Sequence, residues 1–210
     1  MVVGNMIEDF LLQPTTYHLP PRHMDLVFFG IQGSGKGTQA KKLAEEFGYN
    51  IFEAGGELRK IQATGSELGE TVRSYMSAGK LVPLEIIMRV VKEAIESYPA
   101  DQKILFDGIP RDEDQKNGFN EIMSEVGRDF KCVEINVNKE ACIKRILKRA
   151  ETEGREDDAD EAVIRKRMSV FEEKTMPVIE EYKSRNKMIE VDGEGKIEEI
   201  YGRLKESLNL

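Results

Sequence analysis

Cysteine and histidine are scarce in this 210-residue sequence, and their scarcity excludes several kinds of site. The two cysteines, Cys132 and Cys142, stand apart, and each lies in an apolar stretch. They form neither a disulfide framework nor a zinc quartet, so we expect both to pack in the core. The two histidines, His18 and His23, fall in an N-terminal segment outside every motif, and we expect neither to take part in catalysis.

Long hydrophobic runs and an excess of positive charge are missing as well. No apolar stretch approaches the roughly 20 residues of a membrane-spanning helix, and the N-terminus lacks the basic segment and apolar core of a signal peptide. The 31 lysines and arginines are outnumbered by 39 aspartates and glutamates, whereas nucleic acids and anionic membranes demand a basic surface. We therefore expect a cytoplasmic protein without nucleic-acid or membrane partners. An anionic small substrate stays compatible with this balance if arginines concentrate in one cleft.

What the sequence does contain is an alternation of strand and helix patterns from Asp25 onwards. Strands are predicted at Leu26–Phe29, Asn50–Phe52, Lys103–Phe106, Cys132–Val137 and Met188–Val191. Helices are predicted at about 36–47, 56–63, 67–78, 84–97, 114–126, 139–151, 159–185 and 195–208. Because several strands are continuous apolar runs, the pattern predicts a doubly wound α/β fold, a five-stranded parallel sheet flanked by helices. Ligands of such folds bind at the carboxyl ends of the strands.

Two features of this pattern divide the chain further. Three successive helix patterns without an intervening strand predict an inserted helical subdomain at 54–98, since a crossover between parallel strands needs only one helix. Pro177 should end or kink the long predicted helix near Met176. An N-terminal arm at 1–23 precedes the domain at 24–210, whose core comprises 24–53, 99–149 and 159–210 around the insertion and a lid at 150–158.

The strongest motif is the glycine-rich segment from Gly30 to Thr38, which joins the first strand to the first helix. Its glycines let successive backbone N–H groups point at one anion, and the start of the helix adds partial positive charge. Lys36 can reach the outer phosphates of a nucleotide. We therefore predict a nucleoside triphosphate on this loop. The usual pattern has serine or threonine directly after the lysine, but here Gly37 precedes Thr38.

A GTPase is the rival interpretation of such a loop. Guanine is read by Asn-Lys-x-Asp after a strand, and Asn138-Lys139-Glu140 begins this pattern. Ala141 stands in place of the aspartate, so the paired donors of guanine would find no carboxylate. We therefore set the GTPase interpretation aside.

A second phosphate site is indicated where the third strand ends, at Asp107. An aspartate at the carboxyl end of the strand beside the phosphate loop is suited to hold hydrated Mg²⁺. Arg111, four residues later, can clamp another phosphate through its guanidinium. In isolation the segment would equally fit a β-turn with a surface arginine. Next to a phosphate loop, the functional interpretation is favoured.

These two segments resemble the nucleoside monophosphate kinases, the family that includes the adenylate kinases. The run Gly-x-x-Gly-x-Gly-Lys-Gly-Thr-Gln from Gly30 and the run Asp-Gly-Ile-Pro-Arg from Asp107 carry the resemblance, with Ile109 in place of the usual aromatic residue. It extends from about residue 25 to the C-terminus. The resemblance implies a P-loop fold, ATP as phosphoryl donor and a nucleoside monophosphate as acceptor, with Mg²⁺ held by Asp107 and Thr38 through water.

The resemblance also implies roles for individual residues. The ATP-binding residues would be Gly33, Ser34, Gly35, Lys36, Gly37, Thr38, Arg145, Arg149 and Gly195. The monophosphate-binding residues would be Ala54, Gly55, Arg59, Lys80, Leu81, Val82, Gly108, Arg111, Gln115, Arg155 and Arg167. Catalysis would depend on Lys36, Asp107, Arg111, Arg149, Arg155 and Arg167. No general base is expected, because the attacking phosphate oxygen is already ionised near neutral pH.

The predicted lid at 150–158 is short and polar. Arg145 and Arg149 precede it at positions i and i+4, on one face of a helix, and Arg155 lies within it. A hinged loop bearing arginines would supply positive charge and exclude water, although charge-rich helices more often form solvated faces. Long-lid bacterial members of the family carry an inserted β-domain that can bind a metal, so the short lid predicts no structural zinc.

The identity of the acceptor depends on two positions. Gln115 offers one donor and one acceptor, which complement the edge of adenine and favour AMP. Ala54 stands where adenylate kinases usually have threonine and matches the uridylate–cytidylate kinases, so a UMP/CMP kinase is the alternative. We give Gln115 the greater weight because it would touch the base. Remoter alternatives are a non-catalytic nucleotide-binding homologue and a small-metabolite kinase. We expect a monomer, with the N-terminal arm able to mediate self-association.

Overall fold

The predicted strands form one parallel sheet in a computed structural model of the chain, which describes residues 24–153 and 160–210. The strands are β1 (Met24–Phe29), β2 (Asn50–Glu53), β3 (Ile104–Asp107), β4 (Asp129–Asn136) and β5 (Met188–Asp192). Their order across the sheet is β2-β3-β1-β4-β5, and all neighbours run parallel. The predicted five-stranded α/β fold is therefore confirmed.

The helices flank this sheet in the predicted sequence. They are α1 (Lys36–Phe47), α2 (Ala54–Gln62), α3 (Glu67–Ser77), α4 (Leu84–Ser97), α5 (Glu113–Glu125), α6 (Lys139–Glu153), α7 (Glu161–Val170), α8 (Met176–Ser184) and α9 (Ile197–Leu208). α2, α3 and α4 follow one another between β2 and β3, where the insertion is predicted. α6 continues to Glu153 and so takes up the first part of the predicted lid. The predicted arm at 1–23 and lid residues 154–158 lie outside the described residues.

The core covers both faces of the sheet because side chains alternate along each strand. On β1, Val27 and Phe29 pack with α4, α5 and α8, whereas Leu26 and Phe28 pack with α1 and α9. Both sets are apolar, which explains why the strand forms an uninterrupted hydrophobic run in the sequence. The two cysteines are free and buried, as predicted. Within the described ranges, no helix combines the length and hydrophobicity that crossing a membrane requires.

β4 begins earlier than the hydrophobic run predicts. It starts at Asp129 rather than Cys132, and Met24 of β1 pairs with Asp129 at that end. Phe130 is buried between two more exposed neighbours, so this part of the strand alternates instead of being continuously apolar. Pairing with β1 extends the strand beyond the segment that hydrophobicity alone identifies.

The long predicted helix at 159–185 is interrupted as the sequence indicates. α7 ends at Val170, a π-helical segment spans Phe171–Thr175, and α8 begins at Met176. Pro177 has no N–H to donate to the preceding turn, which breaks the regular hydrogen-bond pattern there. The interruption turns Thr175 inwards, and its hydroxyl donates to the carbonyl oxygen of Arg111 at 2.7 Å. The break in the helix thus supports the segment that follows β3.

A buried ion pair ties the strands together at the amino end of the sheet. Asp25 is fully buried, and its two oxygens accept from the Nε and Nη2 groups of Arg128 at 2.7 and 2.8 Å. The same carboxylate accepts from the backbone N–H of Ile104 at 2.8 Å. These bonds join β1, β3 and the segment before β4, far from the carboxyl ends where the motifs converge. The pair is therefore structural.

Candidate active site

The motif residues converge on a cleft at the carboxyl ends of β1, β2 and β3. The cleft has a volume of about 400 Å³, which is in the range of a small-molecule site. Its walls come from the glycine-rich loop and the start of α1, from the start of α2, from the turn after β3, and from α6 and α7. One cleft therefore collects residues that are widely separated in the sequence.

The glycine-rich loop requires glycine at specific positions. Gly30, Gly33 and Gly35 have φ angles of 144°, 83° and 94°, which side chains rarely adopt. A Cβ on Gly30 would lie 2.7 Å from the carbonyl oxygen of Ile135, and one on Gly33 would lie 2.6 Å from that of Cys142. The loop is thus packed closely against β4 and α6, which holds it in the wrapped conformation that the motif predicts.

Lys36 lies at the start of α1 and extends back along the loop. Its ammonium group donates to the carbonyl oxygens of Gly30 and Ile31 at 2.7 and 3.2 Å. Removal of water around this group lowers the pKa of Lys36, the charge of Asp107 opposes that shift, and the charge of Arg111 adds to it. The loop carbonyls therefore hold the ammonium group inside the cleft.

Asp107 is the last residue of β3 and lies beside the loop. Its Oδ2 atom is 3.8 Å from the position that a Cβ on Gly37 would take. Removal of water around the carboxylate raises the pKa of Asp107, and the charge of Lys36 opposes this shift while that of Glu53 adds to it. A carboxylate and the hydroxyl-bearing Thr38 thus lie at the same corner of the cleft.

The turn after β3 is built to hold Arg111. Its Nε–H donates to the carbonyl oxygen of Gly108 at 2.7 Å, and a Cβ on Gly108 would come within 2.8 Å of the guanidinium. The backbone N–H of Arg111 donates to Oε1 of Gln115 at 2.9 Å, and its carbonyl accepts from Thr175. Burial lowers the pKa of Arg111 to about 10, with a further lowering from the neighbouring charge of Arg167. Arg111 is therefore a fixed cation at neutral pH.

The start of α2 forms a further part of the cleft lining. Arg59 extends into the cleft, where its Nη2 donates to Oε1 of Glu53 at 2.8 Å. Ala54 is buried, and Gly55 lies under the guanidinium of Arg59. Gln115 is only 3% exposed and also lines the cleft. α2 thus contributes a cation to the cleft, and the start of α5 contributes a buried amide.

Positive charge dominates the cleft although the whole chain carries a net charge of −8. Among the described residues, the cationic side chains that line it are Lys36, Lys41, Arg59, Lys80, Arg111, Arg145, Arg149 and Arg167. The lining carboxylates are Glu53 and Asp107. The sequence analysis allowed an anionic substrate only if arginines concentrate in one cleft. The structure shows such a concentration.

Most of the sequence-predicted site residues line this cleft. They are Gly33, Gly35, Lys36, Gly37, Thr38, Ala54, Gly55, Arg59, Lys80, Leu81, Val82, Asp107, Gly108, Arg111, Gln115, Arg145, Arg149 and Arg167. Ser34 is buried behind the loop, and its hydroxyl has no partner in the described part of the chain. Gly195 lies after β5, near Glu199, and outside the cleft lining. Arg155 falls outside the described residues.

Several lining residues are not indicated by any sequence motif. Glu53, Phe171 and Thr175 contribute to the cleft without belonging to the quoted motifs. Glu53 is the last residue of β2 and pairs in register with Asp107, so its position at the end of a strand is the signal that could have identified it. Phe171 and Thr175 carry no such signal, because only the π-helical segment turns them towards the cleft.

A phosphate loop after β1 and a second set of cations in the same cleft define the class of P-loop phosphotransferases. Comparison with known proteins narrows this class. The family model for adenylate kinase matches residues 28–187. An adenylate kinase of Thermus thermophilus is 39% identical over 186 residues, which cover 88% of this chain and 97% of that protein.

Other similar proteins are also adenylate kinases. An adenylate kinase of Flavobacterium johnsoniae is 37% identical over 182 residues, covering 86% of this chain and 96% of its own. Adenylate kinase 1 of Schistosoma mansoni is 39% identical over 180 residues, which cover 85% of this chain and 89% of that protein. The chain belongs to the adenylate kinase family. Membership in this family confirms the prediction of a nucleoside monophosphate kinase.

Proposed function

We propose that this protein transfers the terminal phosphoryl group of ATP to AMP and forms two molecules of ADP. The observation that carries the proposal is the single cleft in which Lys36 on the loop faces a second group of cations that includes Arg59 and Arg111. Two anionic ligands can be neutralised there at once, whereas a protein that only binds one nucleotide needs one such group. The names of the relatives support ATP and AMP as the two substrates.

The donor half of the site is assigned to the loop and to α6. The backbone N–H groups of the loop and the Lys36 ammonium group would bind the outer phosphates of ATP. Arg145, whose Nη1 lies 3.5 Å from the carbonyl oxygen of Gly33, is close enough to the loop to join them. The full set assigned to ATP is Gly33, Ser34, Gly35, Lys36, Gly37, Thr38, Arg145, Arg149 and Gly195.

Mg²⁺ fits the donor atoms at the corner of the cleft. Mg²⁺ prefers oxygen ligands and usually keeps several waters, with one or two carboxylates and the substrate phosphates completing its shell. Asp107 offers one carboxylate, and Thr38 offers a hydroxyl beside Gly37. Across the described residues there is no group of three or more His, Cys, Asp or Glu side chains that would hold a metal alone. When bound, Mg²⁺ neutralises charge on the donor phosphates.

The acceptor half of the site is assigned to α2, the turn after β3 and α7. Arg59 and Arg111 would bind the phosphate of AMP, because a guanidinium pairs with two phosphate oxygens. Arg167 and Arg155 join them in this proposal. The remaining contacts are assigned to Ala54, Gly55, Lys80, Leu81, Val82, Gly108 and Gln115.

Gln115 supports adenine as the base. Its Oε1 already accepts from the backbone N–H of Arg111, so the amide N–H₂ group is left to donate to the base. Adenine N1 accepts such a bond, whereas uracil and guanine could accept it only at a carbonyl oxygen and would bring the N3–H or N1–H donor to a group whose own acceptor, Oε1, is already bonded to Arg111. Cytosine N3 is also an acceptor, so the size of the base has to separate CMP from AMP.

In the proposed reaction, a phosphate oxygen of AMP attacks the γ-phosphorus of ATP as the bond to the β-phosphate oxygen breaks. Lys36, Arg111, Arg149, Arg155 and Arg167 would neutralise the charge that moves between the two nucleotides. Closure of the 54–98 insertion over AMP and of the 150–158 lid over ATP would exclude water, which would otherwise hydrolyse ATP.

An assay of ADP formation with different acceptors tests this proposal. Purified protein is supplied with MgATP and with AMP, CMP, UMP or GMP, and ADP is measured by a coupled reaction. We expect the highest kcat/KM with AMP. Faster transfer to CMP or UMP would contradict the assignment of the base, and no ADP with any of the acceptors would contradict the enzymatic function.

We also propose that the enzyme acts as a monomer. All of the described lining residues of the cleft come from one chain, which supports this proposal. Light scattering of the full chain should therefore give the mass of one chain, 23.9 kDa. A stable dimer would instead point to the 1–23 segment as a self-association element.

A further inference from the structure

Glu53 is a carboxylate in the acceptor half of the cleft for which the proposed reaction has no use. It ends β2, pairs in register with Asp107 at the end of β3, and lines the cleft. Asp107 has a proposed partner in Mg²⁺, whereas Glu53 lies on the side assigned to the AMP phosphate. A negative charge at that position opposes the binding of a second negative charge.

The position of Glu53 is defined by its pairing with Arg59. Its Oε1 accepts from Nη2 of Arg59 at 2.8 Å, within the first two turns of α2. Gly55 and Gly56 make room for the pair. A Cβ on Gly55 would lie 3.2 Å from Nη1 of Arg59, and one on Gly56 would lie 3.1 Å from Oε2 of Glu53. Both residues of the pair therefore lie flat on the start of the helix.

The pair is exposed enough to open. The side chain of Glu53 is 47% exposed and that of Arg59 is 29% exposed. Ion pairs of this exposure contribute little to stability, so an incoming phosphate dianion can replace the carboxylate on the guanidinium. The phosphate carries more charge and can bind both Nη groups at once, which favours the exchange.

We propose that Glu53 is an internal competitor for the acceptor phosphate. Its carboxylate occupies Arg59 in the absence of AMP, and binding of AMP has to displace it. This inference rests on the proposed function, because it assigns Arg59 to the phosphate of AMP. The consequence is a weaker affinity for AMP, and for the ADP formed from it, than the cations of the cleft would otherwise give. Glu53 thereby adjusts acceptor affinity and does not take part in the transfer.

Two substitutions separate competition from simple positioning. Glu53→Gln keeps a neutral hydrogen-bonding group beside Arg59 and removes the charge, whereas Glu53→Ala removes both. Competition predicts that both variants bind AMP about three- to tenfold more tightly, as expected when one exposed ion pair and one nearby like charge are lost. The KM for AMP should fall by the same factor, with the KM for ATP unchanged and kcat unchanged or lower.

The matched control is Glu57→Gln on the same helix. Glu57 pairs with Lys60 at 2.7 Å, so its replacement also removes one exposed ion pair and one negative charge. We expect this variant to leave the affinity for AMP unchanged. Thermal unfolding of each variant verifies that the fold is intact, and titration calorimetry with AMP alone measures the affinity without turnover.

The outcomes distinguish this inference from the proposed function. If Glu53 only positions Arg59, the alanine variant will bind AMP more weakly than the wild type, and that result overturns the competitor role. Unchanged affinity in both variants overturns it as well. If the wild type forms no ADP from AMP, the proposed function fails, yet tighter AMP binding by both variants would still support competition at Arg59.

Discussion

Single residues in the cleft lie where the surrounding protein disfavours their charged forms. The pKa of Lys36 is lowered and that of Asp107 is raised, in each case mainly because the cleft removes water around the charged group. Charged Lys36 and charged Asp107 therefore reduce stability at neutral pH. Groups of this kind concentrate at functional sites, which agrees with the roles proposed for both residues.

Replacing Lys36 with methionine should abolish most of the transfer without unfolding the protein. The loss of its charge from the phosphates should lower kcat by roughly a hundredfold to a thousandfold. The folded pKa of Lys36 lies below its unfolded value, so any stabilisation from this group appears only at pH values above the folded pKa. At pH 7 the variant should thus unfold at the same or a higher temperature.

The coupled assay and a thermal unfolding curve measure the two effects of this substitution. Lys92→Met on α4 is the control, because Lys92 is exposed and pairs only weakly with Glu125, at 3.8 Å. Its activity should match the wild type. Substantial activity in Lys36→Met would contradict the role given to the loop lysine.

Replacing Asp107 with asparagine should raise stability in a pH-dependent way. The folded pKa of Asp107 lies above its unfolded value, so the group stabilises the fold at low pH and loses that contribution as the pH rises through the folded pKa. The gain in unfolding free energy of the variant should therefore be present at pH 7 and shrink towards pH 4. Activity with MgATP should fall at least about a hundredfold.

Urea unfolding of both proteins at the two pH values measures the effect on stability. Asp101→Asn in an exposed turn is the control and should show no such pH dependence. An Asp107→Asn variant that is less stable than the wild type at pH 7 would contradict the account of this carboxylate.

At the scale of single residues, the sequence predicts those site residues that belong to contiguous motifs. Lys36, Asp107 and Arg111 were assigned because each follows a strand within a recognisable run. Glu53 and Thr175 were not, because their positions depend on the register of β2 with β3 and on an interrupted helix. Local patterns carry no information about such long-range relations.

At the scale of elements, the break between α7 and α8 links the C-terminal half of the chain to the acceptor site. Thr175 in the π-helical segment donates to the carbonyl of Arg111, and Gln115 of α5 accepts from the N–H of the same residue. Arg111 is thus fixed from two helical elements. Irregular helical turns of this type often occur at functional sites.

Replacing Thr175 with valine should weaken catalysis through Arg111. The valine is nearly the same size but leaves the carbonyl of Arg111 without its partner, so kcat/KM for AMP should fall roughly threefold to thirtyfold. The unfolding free energy should fall by about 1–2 kcal/mol. Thr175→Ser keeps the hydroxyl and should restore most of both values. Steady-state kinetics with AMP as the varied substrate measure the first effect, and equal kinetics for valine and serine would contradict it.

The sequence identifies this element only in part. Pro177 predicts a break near Met176, and α8 does begin there. A missing N–H determines where the hydrogen-bond pattern fails but not how the chain adapts to it. The choice of a π-helical segment, which turns Thr175 towards Arg111, depends on packing against the rest of the domain.

At the scale of the whole molecule, the two ends of the sheet differ in function: one forms the cleft and the other contributes to stability. The carboxyl end gathers the cations of the cleft, whereas the amino end contains the buried pair of Asp25 and Arg128. The side chain of Arg128 is 10% exposed and that of Asp25 is fully buried. Stability at one end can therefore be changed without altering chemistry at the other.

Replacing Arg128 with methionine should destabilise the fold and leave catalysis intact. The uncompensated carboxylate of Asp25 should lower the unfolding free energy by about 3–5 kcal/mol. Adding Asp25→Asn should recover part of this loss, because the buried charge is then gone. Urea unfolding measures both variants, and kcat at temperatures where the protein is folded should equal the wild-type value. A change in kcat as large as that in stability would contradict the separation of the two ends.

The sequence predicts the architecture better than it predicts the cleft. The parallel five-stranded sheet follows from the alternating strand and helix patterns, and the location of the site follows from the rule that ligands bind at the carboxyl ends of parallel strands. The net charge of −8 gives no hint of the cationic cleft, and of the eight cationic side chains that line it the sequence analysis leaves out Lys41. That concentration arises only when β2, β3, α6 and α7 meet.

The central claim is transfer between two nucleotides in one cleft, and ³¹P NMR of a mixture of MgATP and AMP with a catalytic amount of protein tests it most directly. We predict that the ATP and AMP signals fall together while ADP grows at two molecules for each ATP consumed, without release of inorganic phosphate. Release of inorganic phosphate with AMP unchanged would contradict it, because ATP would then be hydrolysed and not used to phosphorylate the acceptor.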